Sequence, residues 1–442
     1  MFTKKDLHKL IIPLVIEQFL AVSVGMADTI MITCRGEEAV SGISIVDSIN
    51  ILLIGLFSAL ATGGAVVTAQ YLGHKEKEKA KIASNQLVLC VTIVSLIIMG
   101  ITLVGNEAIL KLIYGDVDPL IMKNAKIYFL ISSLSYPFIA LYNAGAALFR
   151  AMGNSKISMK VSFYMNLINI VGNAILIYVF NMGVEGAGIS TLCSRVIAAV
   201  IVIGMLMQRK YEVGIDSHLR LGYHPKMIQR ILRIGVPNGL ENSMFQFGKI
   251  LVSGLVASFG TISITANAVG NTVASFNCIP GNAIGLAMIT VVGQCVGAGE
   301  LGQAKKYTKK LLFMAYGSML LLNLFMILLM PNIVGMFQLQ AKTQELATKL
   351  LLYHCVCSIL IWPLAFSLPN ALRAANDVKF TMLTSITSMW LFRVILSFLL
   401  AKTFQLGVFG VWVAMTIDWV FRAVLFIVRF ASDRWKRNAF MR

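Results

Sequence analysis

Residues 10–33 read LIIPLVIEQFLAVSVGMADTIMIT, a run whose only charges are Glu17 and Asp28. A helix crosses the hydrocarbon of a bilayer in about 20 residues, so this run is long enough to span a membrane. It is too long for the apolar core of a cleavable leader, and the two acids argue the same way, so it is expected to stay as the first span. The rest of the chain has the same character. Of its 442 residues 57% are hydrophobic and 13% charged, with a mean hydropathy of +0.79. Soluble domains carry about 25% charged residues, and this chain has too little polar surface to cover a water-soluble body of its size. Further apolar spans lie near 42–71, 87–106, 125–148, 158–180 and 187–208, and then near 232–258, 266–297, 311–331, 346–370, 380–403 and 407–431. The expected fold is an all-α integral membrane protein of twelve transmembrane helices.

The net charge of +18 raises the question of nucleic acid, and the placement of the charges answers it. With the N-terminus inside, 27 of the 38 Lys and Arg fall in cytoplasmic segments, seven in external loops and four (Arg195, Lys249, Arg393, Arg422) within spans. This is the positive-inside pattern of a multi-pass protein with both termini cytoplasmic. The basic tail around Arg434, Lys436 and Arg437 is a membrane-edge anchor, and no nucleic-acid partner is implied. The seven cysteines are scattered without a metal-ligand or disulfide spacing and read as small apolar residues.

The chain repeats itself at a spacing of 224. Pro13-x3-Glu17 returns as Pro237-x3-Glu241, Gln70-Tyr-Leu-Gly73 as Gln294-Cys-Val-Gly297, and Ala80-Lys81 as Ala304-Lys305. Gly183-Val184-x-Gly186 returns as Gly407-Val408-x-Gly410, while Arg150-Ala151 returns as Arg373-Ala374 at a spacing of 223. Each repeat holds six spans, an even number, so both enter the membrane from the same side. The expected architecture is two parallel six-helix lobes related by a pseudo-twofold axis along the membrane normal, as in many secondary transporters. Residues 1–208 form the first lobe, 209–233 a basic cytoplasmic linker, and 234–442 the second lobe with its tail. Such lobes enclose a cavity that opens to alternate sides as they rock.

Ionisable groups inside spans cost at least about 2.5–3.5 kcal/mol at a helix centre, so each needs a reason. Glu17 and Asp28 are eleven residues apart, which puts them within roughly 20° of one face and roughly 16 Å apart along the axis. In the fifth span Asn166, Asn169 and Asn173 form one polar stripe. A carboxylate with amide carbonyls and the hydroxyl of Thr191 makes a hard-oxygen set: Asp28, Asn169 and Asn173 suit Na⁺, and a buried Asp28 equally suits a proton. Glu17, Asp47, Glu241, Lys249 and His354 are assigned to the substrate cavity. Arg393, Asp418 and Arg422 are assigned to a structural charge network, because Asp418 and Arg422 stand at i and i+4 and can neutralise each other. No motif for membrane-embedded catalysis or ATP hydrolysis is present, so neither an enzyme nor a cofactor is expected.

Several stretches now combine into a resemblance. Leu10-Ile-Ile-Pro13-x3-Glu17 leading to Ala27-Asp28-Thr29-Ile-Met31, Ala69-Gln70-Tyr71-Leu72-Gly73, the run Ala147–Gly153 and Gly407-Val-Phe-Gly410-Val-Trp412 resemble the MATE (multidrug and toxic compound extrusion) family, in its bacterial NorM-like and DinF-like branch. The resemblance covers nearly the whole chain. It implies an antiporter of the bacterial cytoplasmic membrane, monomeric among its lipids, that exports small organic cations in exchange for Na⁺ or H⁺. Asp28 falls on the first-helix aspartate that the family uses for cation coupling, Asn169 and Asn173 on the fifth-helix pair beside it, and Thr191 on a sixth-helix hydroxyl of the same site. Some members have Asp where this chain has Asn173. NorM-like members also pair a seventh-helix glutamate with a tenth-helix aspartate. Here Glu241 lies about one turn early and the tenth span has no acid after Glu345, so no cation site is expected in the second lobe. The alternative is a flippase for a lipid-linked or amphipathic precursor. An anionic precursor would call for several uncompensated Arg or Lys at the cavity, and in the sequence only Lys249 qualifies.

Overall fold

Apolar runs of this length satisfy their backbone polar groups internally as helices, and helices are what form. The computed structural model describes residues 2–115, 117–208, 210–215 and 222–439, among which there is no β-strand. The first repeat gives α1 (Lys4–Ile32), α2 (Glu37–Gly73), α3 (Lys77–Val104), a short α4 (Asn106–Tyr114), α5 (Pro119–Ala151), α6 (Ser155–Asn173) and α7 (Val184–Leu206). The second gives α8 (Pro225–Ala257), α9 (Thr261–Asn277), α10 (Ile279–Gly297), α11 (Leu301–Leu328), a short α12 (Met330–Gly335), α13 (Ala341–Trp362), α14 (Leu368–Ala374), α15 (Val378–Ser388), α16 (Leu396–Phe398) and α17 (Gly407–Ala431).

Helix boundaries repeat with the sequence. Glu37–Gly73 returns, displaced by 224, as Thr261–Gly297, and Lys77–Val104 as Leu301–Leu328. Where the first copy is continuous, the second is broken at prolines. α2 runs unbroken for 37 residues, whereas its counterpart divides into α9 and α10 just before Pro280. That ring lacks an N–H and clashes with the carbonyl four residues back. Likewise α5 carries Pro137 inside an unbroken helix, while its counterpart loosens at Pro363 into a π-helical turn, Pro363–Ser367, between α13 and α14.

Eleven helical stretches among the described residues are long and apolar enough to cross a membrane. The twelfth expected span is α8, which has the length, 33 residues, but carries Asn238, Glu241, Asn242, Gln246 and Lys249. Outer helix faces present Leu and Phe to the surroundings, with Leu321 74% and Phe313 79% exposed. In water such surface would be an aggregation liability, and in lipid it is the solvated face.

The chain divides into two compact units, one of Lys4–Gly239 and one of Leu240–Arg442 with residues 1–3. The division falls inside α8, and residues 209 and 216–221 of the expected linker 209–233 lie outside the described residues. The first turns of α8 pack on α2 backbone to backbone: a Cβ on Gly63 would lie 2.7 Å from the Ile231 carbonyl oxygen and 2.8 Å from the Gly235 nitrogen. In the second unit a Cβ on Gly281 would run into the Trp362 ring, which packs against α10 at that glycine. Small residues at such crossings let helices without a hydrophobic driving force gain dispersion contact instead.

Candidate functional site

In the first unit the polar stripe of α6 faces α1 on one side and α7 on the other. Asn173 Nδ2 donates to Asp28 Oδ1 at 2.7 Å. Asn169 stands one turn earlier, and its amide satisfies its surroundings when the nitrogen faces the carboxylate. It then donates to Asp28 Oδ1 at 2.7 Å and Oδ2 at 3.3 Å and accepts from Thr191 Oγ1 at 3.1 Å. Ser190 Oγ donates to the Asn169 carbonyl at 2.7 Å and holds α7 close to α6. The four residues expected to form one site are therefore in one place. Asn166 is apart, its amide 3.5 Å from Ser162 Oγ. At Asn173 the α-helical pattern ends, and Ala174–Val179 form a π-helical turn, closed by Phe180 N donating to the Ile175 carbonyl at 3.0 Å. Such turns are frequent at functional positions because they re-aim the preceding side chain.

The donor chemistry suits a small hard cation. Asp28 is half-buried, and its hydrogen bonds come from the neutral amides of Asn173 and Asn169. Asn173 Oδ1 is buried with no hydrogen-bond donor, an orphaned carbonyl beside the carboxylate. No group of three or more His, Cys, Asp or Glu gathers as a metal cluster among the described residues. The set is thus one charge plus neutral oxygens, matching a monovalent ion better than a divalent one.

A second polar group lies beside it. Asp47 Oδ1 accepts from Asn50 Nδ2 at 3.2 Å and from Tyr128 OH at 3.4 Å, and Tyr136 OH donates to Asn50 Oδ1 at 2.8 Å. Arg195, one turn beyond Thr191, donates to Ser135 Oγ at 2.6 Å and lies within the electrostatic reach of both Asp28 and Asp47. Two carboxylates and one guanidinium leave one negative charge for an incoming cation to neutralise. The sequence reading missed Arg195, Tyr128 and Asn50. The available signals were the i, i+4 spacing of Thr191 and Arg195 and the i, i+3 spacing of Asp47 and Asn50.

Other cavity expectations need correction. Glu17 is buried, with Oε1 2.9 Å from Arg150 Nη1 and Oε2 accepting from Ser158 Oγ at 2.7 Å. Glu241 is buried too, its Oε1 2.7 Å from Arg373 Nη2. Both acids are thus the partners of arginines that close the fourth span of their repeat. The repeated Pro-x3-Glu and Arg-Ala blocks are the two halves of one ion pair, made once in each unit. His354 is also core: it is 3% exposed and wedged edge-on between Trp412 and Trp419, with ring centroids 5.6 and 5.4 Å away.

The expected charge network of the second unit does assemble. Arg422 Nε lies 2.8 Å from Asp418 Oδ1, Arg393 Nη1 lies 3.9 Å from Oδ2, and Ser388 Oγ donates to Asp418 Oδ1. Lys249 stands beside it with no ion pair among the described residues, its ammonium 5.7 Å from the centre of the Phe245 ring.

Comparison with known proteins bears on both repeats at once. The family pattern described as MatE matches residues 13–175 and again 237–399, two copies displaced by the same 224 residues. The chain belongs to the MATE family. Among its relatives is "Uncharacterized transporter YisQ" of Bacillus subtilis, 26% identical, with 97% of this chain and 94% of that protein aligned. Another is "Probable multidrug resistance protein NorM" of Thermotoga maritima, 24% identical over 99% of this chain and 94% of that one. A crystal structure of MATE in the bent conformation superposes with a TM-score of 0.88 at 19% identity, covering 99% of this chain and 97% of the other. This MATE protein is accordingly a transporter and not an enzyme, with a multi-pass membrane fold, and Asp28, Asn169 and Asn173 lie within the first copy of the family pattern while Thr191 follows its end.

Proposed function

We propose that this MATE protein is a cation-coupled antiporter that exports small amphipathic organic cations across the bacterial cytoplasmic membrane, with both termini cytoplasmic. The observation that carries the reading is the Asp28 cluster: one half-buried carboxylate held by the amides of Asn169 and Asn173, with Thr191 bonded to Asn169 and the Asn173 carbonyl left without a donor. A Na⁺ ion or a proton arriving there removes the charge that the two amides now hold. The hydrogen bonds that tie α1 to α6 then weaken, and the lobe gains a second arrangement. Substrate and ion favouring opposite arrangements of the same lobe is what couples their fluxes. The coupling ion is a transported species, and the cycle needs no cofactor and no second copy of the chain. Asp47 adds the negative field that draws a cationic substrate.

The test is ethidium efflux from proteoliposomes under an imposed Na⁺ gradient or an imposed pH gradient, for wild type and Asp28→Asn. Efflux driven by one gradient and lost in the variant supports the reading and names the ion. If neither gradient moves the dye in wild type, the exporter reading fails. The alternative, a flippase for an amphipathic precursor, then takes its place. That alternative is favoured by one observation, the excess of basic side chains around Phe245 in the second unit.

A further inference from the structure

The second unit gathers more positive charge than it neutralises. Lys249, Arg393 and Arg422 all approach one ring, Phe245, at 5.7, 5.0 and 5.5 Å from its centre. No two of these cations are therefore more than about 11 Å apart, and a single ring face cannot offset three like charges. Asp418 is the one carboxylate within ion-pair distance of any of them among the described residues, and it serves Arg422 and Arg393. The other acids of the unit are committed or remote. Glu241 pairs with Arg373, Asp377 with Arg429, and Asp433 with Lys305 and Lys436, while Glu300 and Glu345 sit at the starts of α11 and α13. The cluster is left with three cations to one anion.

Its parts differ in access. Asp418 is fully buried and Arg422 is 3% exposed, so their pair is sealed, whereas Lys249 borders open space. Arg393 lies between them at 12% side-chain exposure. Beside the two accessible cations are the rings of Phe245 and Phe366, 6.5 Å apart. An ammonium and a guanidinium converging next to aromatic faces form a site for a group with an anionic head and an apolar body.

We infer that Lys249 and Arg393 bind the phosphate or carboxylate head of an amphipathic molecule whose apolar part lies against Phe245 and Phe366. The site goes beyond the proposed export of cations: it gives the second unit a ligand class of its own, anionic or zwitterionic amphiphiles. Occupancy by the oxyanion supplies the missing negative charge, so the ligand also stabilises the folded unit.

The test uses the full-length protein in neutral detergent with no ion gradient, titrated with naphthyl phosphate and with neutral naphthol by calorimetry and by the shift in thermal midpoint. The phosphate is expected to bind at least about tenfold tighter than naphthol and to raise the midpoint, as a charge-assisted contact requires. Lys249→Gln is expected to remove that advantage, and Lys249→Arg to restore it. Because Lys249 has no ion pair to lose, Lys249→Gln should melt no lower than wild type, which certifies its fold. A second variant, Arg393→Lys, keeps the charge and should retain phosphate binding. Equal affinity for phosphate and naphthol, or phosphate binding untouched by Lys249→Gln, overturns the site. Nanodiscs identify the source of the head group. Loss of naphthyl phosphate binding in phosphatidylglycerol but not in phosphatidylcholine assigns the site to a lipid head, and persistence in both assigns it to a soluble anion. Binding is read without a gradient, so a failure here leaves gradient-driven efflux standing, and a failed efflux leaves this site standing.

Discussion

The two units are copies of one helical plan, and their interiors have opposite charge. In the first, Asp28 and Asp47 face one guanidinium, Arg195, and the balance is negative. In the second, Lys249, Arg393 and Arg422 face Asp418, and the balance is positive. What the copies share is scaffold. Each ties its first helix to the end of its fourth by one Glu–Arg pair, Glu17 with Arg150 and Glu241 with Arg373. Repeated residues therefore mark the frame, and the residues that differ between copies mark what each unit binds. A search for function guided by the repeat alone would have picked the wrong glutamates.

The comparison breaks most easily at its two central acids. Asp28→Asn should abolish gradient-driven efflux while leaving the thermal midpoint in detergent nearly unchanged, because its partners are neutral and can re-pair with an amide. Asp418→Asn should instead cost stability, about 3–5 kcal/mol, since it strips the partner from a buried guanidinium. If both variants behave alike, the division into a binding acid and a structural acid is wrong. The shared pair gives a finer test. Glu17 has both oxygens satisfied, by Arg150 and Ser158, whereas Glu241 Oε2 and Arg373 Nε are buried without partners. The second copy has Thr381 where the first has Ser158, and its hydroxyl turns back to the Val378 carbonyl at 2.9 Å. Glu17→Gln should accordingly destabilise more than Glu241→Gln, by about 1 kcal/mol, read as the difference between two denaturation midpoints.

The smallest effect is expected outside the membrane. Glu107 on α4 is pushed down to about 2 by hydrogen bonds from Lys126 and Lys111. Its value in the fold lies below the ordinary carboxylate range, so what these pairs contribute is complete above 4.5 and fades only as pH falls toward about 2. Glu107 is exposed, and exposed pairs are screened by water and salt. Glu107→Gln should leave the thermal midpoint unchanged between roughly pH 5 and 9, and a clear drop there would mean that α4 supports the fold more than its exposure implies.

Much of this was legible before any coordinates. The spans follow from local hydropathy, and the two units follow from matches at 224. The Asp28 cluster follows from cost: a carboxylate in a span needs neutral oxygens or a cation, and the Asn169–Asn173 stripe at helical spacing was the available supply. The breaks were less legible. Pro137 and Pro363 look alike in sequence, yet α5 carries the first without interruption and the second opens a π-helical turn, because neighbouring helices decide whether freed backbone groups find partners.

By itself the sequence determined the class, the twofold repeat and the first unit's cation-suited side chains, since each rests on composition, on matches along the chain or on spacings within one or two turns. Only the tertiary structure decided how charges pair across helices. Glu17 meets Arg150 across 133 positions and Glu241 meets Arg373 across 132, and Phe245 draws in cations from α8, from the stretch between α15 and α16, and from α17. A charge's partner is set by which helices pack together, and in a low-dielectric interior that partner decides whether an ionisable side chain serves as frame or as binding site.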